Sequence, residues 1–167
     1  VMSSAYDKLS LDQLISTSKT VGAKGIDLCV FRKDGTREDH TATHLDYQGF
    51  SAERGKQVIQ QFNDAGLGLS LGAFENMIGG EESERVKNQN HLLRLIRIAH
   101  LLGGDKNDVK VGTFVGYNHQ LGNEIDGFQK NLDEYKRVFE PIVKYAEDLG
   151  VTIVYENCPM EGWRSSR

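Results

Sequence analysis

The sequence predicts an α/β fold: about four parallel strands with outer helices, forming a partial (β/α)8 TIM barrel. Three observations carry this. Four short apolar runs each follow an amphipathic helical pattern closed by glycine. The pattern returns every ~40 residues, enough for one helix and the crossover that parallel strands require. The chain opens on a loop leading to a helix and stops soon after a strand, which suits part of a barrel better than a doubly wound sheet ending on a covering helix. Residues 1–167 are therefore expected to be a single domain, an incomplete barrel without its first and later strands.

In the first round, Leu11, Leu14, Ile15, Ser18 and Val21 share one helical face, and Ser10 with Gln13 forms a capping box. Gly22 and Gly25 stop that helix, and a strand runs to Phe31. The stretch from Arg32 to Gly49 is polar and carries His40 and His44. Ser51 caps a second helix bearing Ala52, Val58, Ile59, Phe62 and Ala65. Gly66 ends it before a strand over 67–74. A long amphipathic helix follows from Glu81 to Leu102, with His91 on its solvent side and His100 packed or half-exposed. Gly103-Gly104 closes it ahead of a strand over 109–115. The fourth helix, Phe128 to Leu149, contains Pro141, which is expected to kink or split it. The last strand is 151–156.

The net charge of -4 disfavours nucleic acid, whose phosphates attract a basic surface. No run of 18 apolar residues is present, so no membrane span is expected. The N-terminus has no basic segment followed by an apolar one, and Cys29 and Cys158 read as reduced, buried thiols. A cytoplasmic protein is expected.

Ligands of parallel α/β folds bind at the carboxyl ends of the strands. The residues there are Arg32 and Lys33; Glu75, Asn76 and Met77; Gly116 to His119; and Glu156 with Asn157. Glu156 stands out, because a carboxylate at the tip of the apolar run Thr152 to Tyr155 needs water, a partner or a metal. Asn76, His119 and His44 are candidate substrate contacts. Trp163 can stack on a sugar face, and Arg164 can hold a phosphate or carboxylate. The same residues also read as ordinary loop and surface side chains.

The stretch Val151 to Trp163, with ENCPM after an apolar strand, resembles the xylose-isomerase-like TIM-barrel family of sugar isomerases and epimerases, a superfamily that includes endonuclease IV. Weaker echoes are Ala23 to Leu28 and Ala99 to Gly103. The resemblance implies a divalent metal (Mn, Mg, Co or Zn) held by a Glu, an Asp, a His and a second Glu. Glu156 matches the first of these and would be both metal ligand and catalytic acid/base. The strands that would carry the other three lie beyond Arg167.

The resemblance further implies a small-molecule sugar or sugar-phosphate substrate and proton transfer through an enediolate, which the metal stabilises. A homo-oligomer is also possible. Three other outcomes remain open: a sugar or inosose dehydratase of the same superfamily, a non-catalytic barrel fragment or binding module without the metal, and a phosphodiesterase of the endonuclease IV type. The acidic balance and the absence of a His cluster argue against the last.

Overall fold

The computed structural model describes residues 1–35, 44–156, 158 and 163. A 3-10 turn at Ser3–Tyr6 leads into α1 (Leu11–Thr20), β1 (Gly25–Cys29), α2 (Ala52–Ala65), β2 (Gly68–Ala73) and α3 (Glu82–Leu101). After a second 3-10 turn at Gly104–Asn107 come β3 (Lys110–Thr113), the single turn α4 (His119–Gly122), α5 (Gly127–Asp148) and β4 (Ile153–Tyr155). The strands form one sheet in the order β1-β2-β3-β4, and every pairing is parallel. The Val1–Met2 segment continues the sheet past β1, since Met2 bridges Asp27 in parallel and Asp27 N donates to the Val1 carbonyl at 2.8 Å.

Local chemistry sets the element ends. Ser10 Oγ accepts from Gln13 N at 3.3 Å while Gln13 Oε1 accepts from Ser10 N at 2.9 Å, which satisfies two otherwise orphaned donors of α1. Ser51 Oγ caps α2 through Arg54 N at 3.2 Å. Gly66 ends α2 at φ 68°, a left-handed conformation open to glycine without steric cost.

The strand alternation separates two apolar clusters. Ile26, Leu28, Leu69, Leu71, Val109 and Val111 face the helices and pack with Leu14, Val58, Phe62, Leu92, Leu95, Ile96, Phe139 and Ile142. Burying each such large side chain contributes about 1.5–3 kcal/mol. The opposite face carries a smaller cluster of Cys29, Phe31 and Phe74, with Phe114 packed against it. Helices thus cover one face, and the other is the concave inner wall of a partial barrel.

Four expectations are corrected. Strands 26–31, 67–74, 109–115 and 151–156 are each shorter, spanning Gly25–Cys29, Gly68–Ala73, Lys110–Thr113 and Ile153–Tyr155, because the residues beyond these bounds belong to the connecting segments. Pro141 does not split the fourth helix, which runs unbroken through it. Pro141 and Arg137, one turn earlier, are both exposed, so the Arg137 carbonyl left without a helical donor can bond water. His91 is not a surface residue: it is 2% exposed, because α3 turns that face against β1 and the loop after it. His100 is exposed rather than packed, yet its Nδ1 lies 2.7 Å from the Leu149 carbonyl oxygen at the end of α5.

Candidate functional site

Parallel pairing brings the loops after β1, β2, β3 and β4 to one end of the sheet. Glu75 and Asn76 follow β2, His119 follows β3, and Glu156 follows β4. Glu156 N donates to the Thr113 carbonyl at 3.0 Å, continuing the β3–β4 ladder by one bond. Tyr155 pairs with Thr113, so Glu156 stands beside Phe114 one step further on. By alternation both belong to the inner face, where Phe114 joins the apolar cluster. The Glu156 residue is exposed.

Asn76 ties two loops together. Its Oδ1 accepts from Ile78 N at 3.2 Å and Gly79 N at 2.7 Å, and its Nδ2 donates to the Tyr117 carbonyl at 3.0 Å. Gly116, at φ 85°, passes so close to Asn76 that a side chain there would overlap the amide. His119 is exposed, with its ring 5.1 Å edge-on from Tyr117. Trp163 Nε1 donates to the Gly116 carbonyl at 2.7 Å, and its ring meets Tyr117 and Phe128 edge-on at 5.4 and 5.8 Å. Trp163 therefore lies on the loop after β3.

His44 sits apart from these groups. It is 5% exposed, and its Nε2 lies 3.1 Å from the Tyr6 carbonyl oxygen of the first 3-10 turn. Arg32 leaves β1 on the helix side, where its Nη2 donates to Glu84 Oε2 at 2.5 Å. Arg164, His40, Asn157, Pro159 and Met160 lie outside the described residues.

Asp27 is an inner-face carboxylate that the motif-based reading did not single out. Its Oδ1 accepts from Ser70 Oγ at 2.9 Å. Burial raises its pKa above the usual carboxylate value; the Ser70 hydrogen bond and the Val1 ammonium pull it down, and the Glu156 charge pushes it up. The period-2 series Asp27, Cys29, Phe31 contained the signal for this face.

Among the described residues, no three His, Cys, Asp or Glu side chains gather as a metal site. Glu156 offers one exposed carboxylate, so these residues do not by themselves fit the four-ligand metal centre implied by the resemblance, and no chemical step is derived through a metal. Both cysteines are free and buried. No helix among the described residues is long and apolar enough to cross a membrane.

This concave sheet with its strand-end loops defines a class: the chain belongs to the xylose isomerase-like TIM barrel family, whose model matches residues 15–166. A comparison with curated proteins finds no match. Among solved structures, the chain resembles a D-tagatose 3-epimerase-like protein (20% identity, TM-score 0.63, 95% of this chain and 52% of that one). It also resembles L-ribulose 3-epimerase (16%, TM-score 0.62, 93% and 48%). A third is 3-keto-D-glucoside 4-epimerase from E. coli (10%, TM-score 0.60, 93% and 54%). At these identities the likeness establishes the fold. The chain spans about half the length of these structures.

Proposed function

We propose that this chain is the part of a sugar isomerase or epimerase that carries Glu156 as a catalytic acid/base. The observation behind this reading is the position of Glu156: exposed, on the inner face, at the carboxyl end of a parallel strand. A carboxylate there can take a proton from a substrate carbon next to a carbonyl and return it. The enediolate between those steps needs positive charge near its oxygens, which a divalent metal would supply; Glu156 would be one ligand of such a metal. Residues 1–167 are one section of a larger barrel, and the exposed Val154 and Tyr155 on β4 support a further element packing there.

In the same reading, Trp163 and His119 border the substrate and Asn76 fixes the two loops beside it, whereas His44, on the Tyr6 carbonyl, stays apart from them. Arg164 is kept as a substrate contact on its sequence position alone. The substrate is a small sugar, and neither nucleic acid nor membrane takes part. A cytoplasmic location fits the two free thiols. Self-association into a homo-oligomer is consistent with the open edge.

The test is Glu156→Gln in the complete protein, assayed against a panel of ketoses at saturating Mn²⁺ and by metal titration. The amide keeps the size but cannot act as a base and ligates hard cations poorly. Turnover is expected to fall at least ~100-fold with folding intact. Activity close to wild type would make Glu156 a structural carboxylate. Loss of water from the sugar, without isomerisation, would assign dehydratase chemistry to the same site.

A further inference from the structure

The indole of Trp163 hangs on one backbone carbonyl. Its Nε1 donates to the Gly116 oxygen at 2.7 Å, and its ring meets Tyr117 and Phe128 edge-on. Gly116 sits at φ 85° with no side chain to restrict it, so the direction of that carbonyl depends on what holds the peptides around it. The loop after β2 holds both. Met77 N donates to the Val115 carbonyl at 3.3 Å, and Asn76 Nδ2 donates to the Tyr117 carbonyl at 3.0 Å. Each peptide is a rigid plane, so the peptide joining Gly116 to Tyr117 is pinned between two tethered ones. The Asn76 amide also lies against Gly116, in the space a Cβ there would need.

Asn76 is in turn anchored to α3. Its carbonyl accepts from Asn88 Nδ2 at 2.8 Å, and the Met77 carbonyl accepts from Gln89 Nε2 at 2.7 Å. Met77 and Ile78, next in sequence, are fully buried. The Asn76 amide makes three hydrogen bonds inside the protein, two at Oδ1 and one at Nδ2. A side-chain amide has about four to offer, so little of it is left for a ligand. A continuous set of contacts therefore runs from the helix α3 through Asn76 to the indole.

We propose that Asn76 is a positioning residue for Trp163: through the Tyr117 and Gly116 carbonyls it sets the place of the indole, and it acts on a sugar only through that ring. The inference rests on the sugar reading above for what the indole borders. Asn76→Asp separates this role from a local one. The carboxylate keeps an acceptor for Ile78 N and Gly79 N but has no N–H for the Tyr117 carbonyl. A residue that only shaped its own loop would leave the indole where it is.

The experiment uses the complete protein as wild type, Asn76→Asp, Gly116→Ala and Trp163→Phe. Trp163 is the single tryptophan of residues 1–167, and subtracting the Trp163→Phe spectrum isolates its emission. Gly116→Ala pushes on the same contact from the other side and decides the matter should Asn76→Asp fail to fold. Emission, acrylamide quenching and steady-state kinetics on a ketohexose are measured. In both variants the indole emission is expected to move to longer wavelength with stronger quenching, and KM to rise about tenfold with kcat little changed. An indole unmoved in whichever variant folds overturns the proposal, and so does a displaced indole with KM unchanged or with the loss confined to kcat. A displaced indole in a protein whose wild type turns over no ketose upholds the coupling of Asn76 to Trp163 and defeats the isomerase reading.

Discussion

His91 Nε2 lies 2.6 Å from the Val30 carbonyl oxygen, joining the middle of α3 to the residue that follows β1. The Nε2–H donates this bond, and the ring meets Tyr47 edge-on at 4.8 Å. Burial holds the His91 pKa below its usual value; the Val30 bond and Asp34 oppose that shift, and Arg94 and Arg32 reinforce it.

A testable sign follows for stability. The folded pKa is depressed, so the unfolded chain takes up the proton first as pH falls below about 6.5. The contribution of neutral His91 is full above that pH and is lost on acidification toward the folded pKa. His91→Gln keeps an N–H donor and removes the titration. Denaturant melts at pH 7.5 and 5.5 should show a smaller acid-induced loss of stability in the variant. An equal loss in both proteins would assign the dependence to another group.

Asn131 binds α5 to the loop after β3. It is fully buried, its Oδ1 accepts from Asn118 N at 2.8 Å, and its Nδ2 donates to the carbonyls of Asn118 and Gly127 at 3.1 and 3.0 Å. Asn131→Leu leaves these backbone groups without their partner, at about 1–3 kcal/mol for each group that stays dry. Thermal melts should show the loss, and hydrogen exchange at Asn118 should speed up. A variant as stable as wild type, with Asn118 still protected, would show that water replaces the amide at no cost.

Gly55 lies where α2 crosses α3. A Cβ there would come 2.5 Å from the Leu101 carbonyl oxygen, so the two helices must separate to admit it. Alanine in a helix otherwise gains about 0.5–1 kcal/mol over glycine, whereas overpacking costs about 1–3 kcal/mol. The overlap is with rigid backbone, so Gly55→Ala should destabilise despite the better helix propensity. A raised melting temperature would show that α2 shifts freely on α3.

Much of the architecture was legible in the residues. The capping box at Ser10 and Gln13 and the left-handed stop at Gly66 are local devices, read from neighbours a few positions apart. The apolar runs marked all four strands, and Glu156 stood out as a charge at the end of one. Ordinary helical periodicity misplaced His91, whose surroundings come from Val30 and Tyr47, far away in the chain.

The sequence by itself determined the alternation of helix and strand, the parallel order that follows from it, and the end of the sheet where polar residues collect, because hydrophobic period and glycine stops act over a few residues. Only the tertiary structure decided which face of each strand looks inward. It also decided that Asp27 shares that face with Glu156, and that the Phe74 ring lies over Gly72 and Gly112. Apart from Gly72 and Phe74, which are two positions apart, those relations join residues on different strands and depend on strand register, which no local pattern encodes.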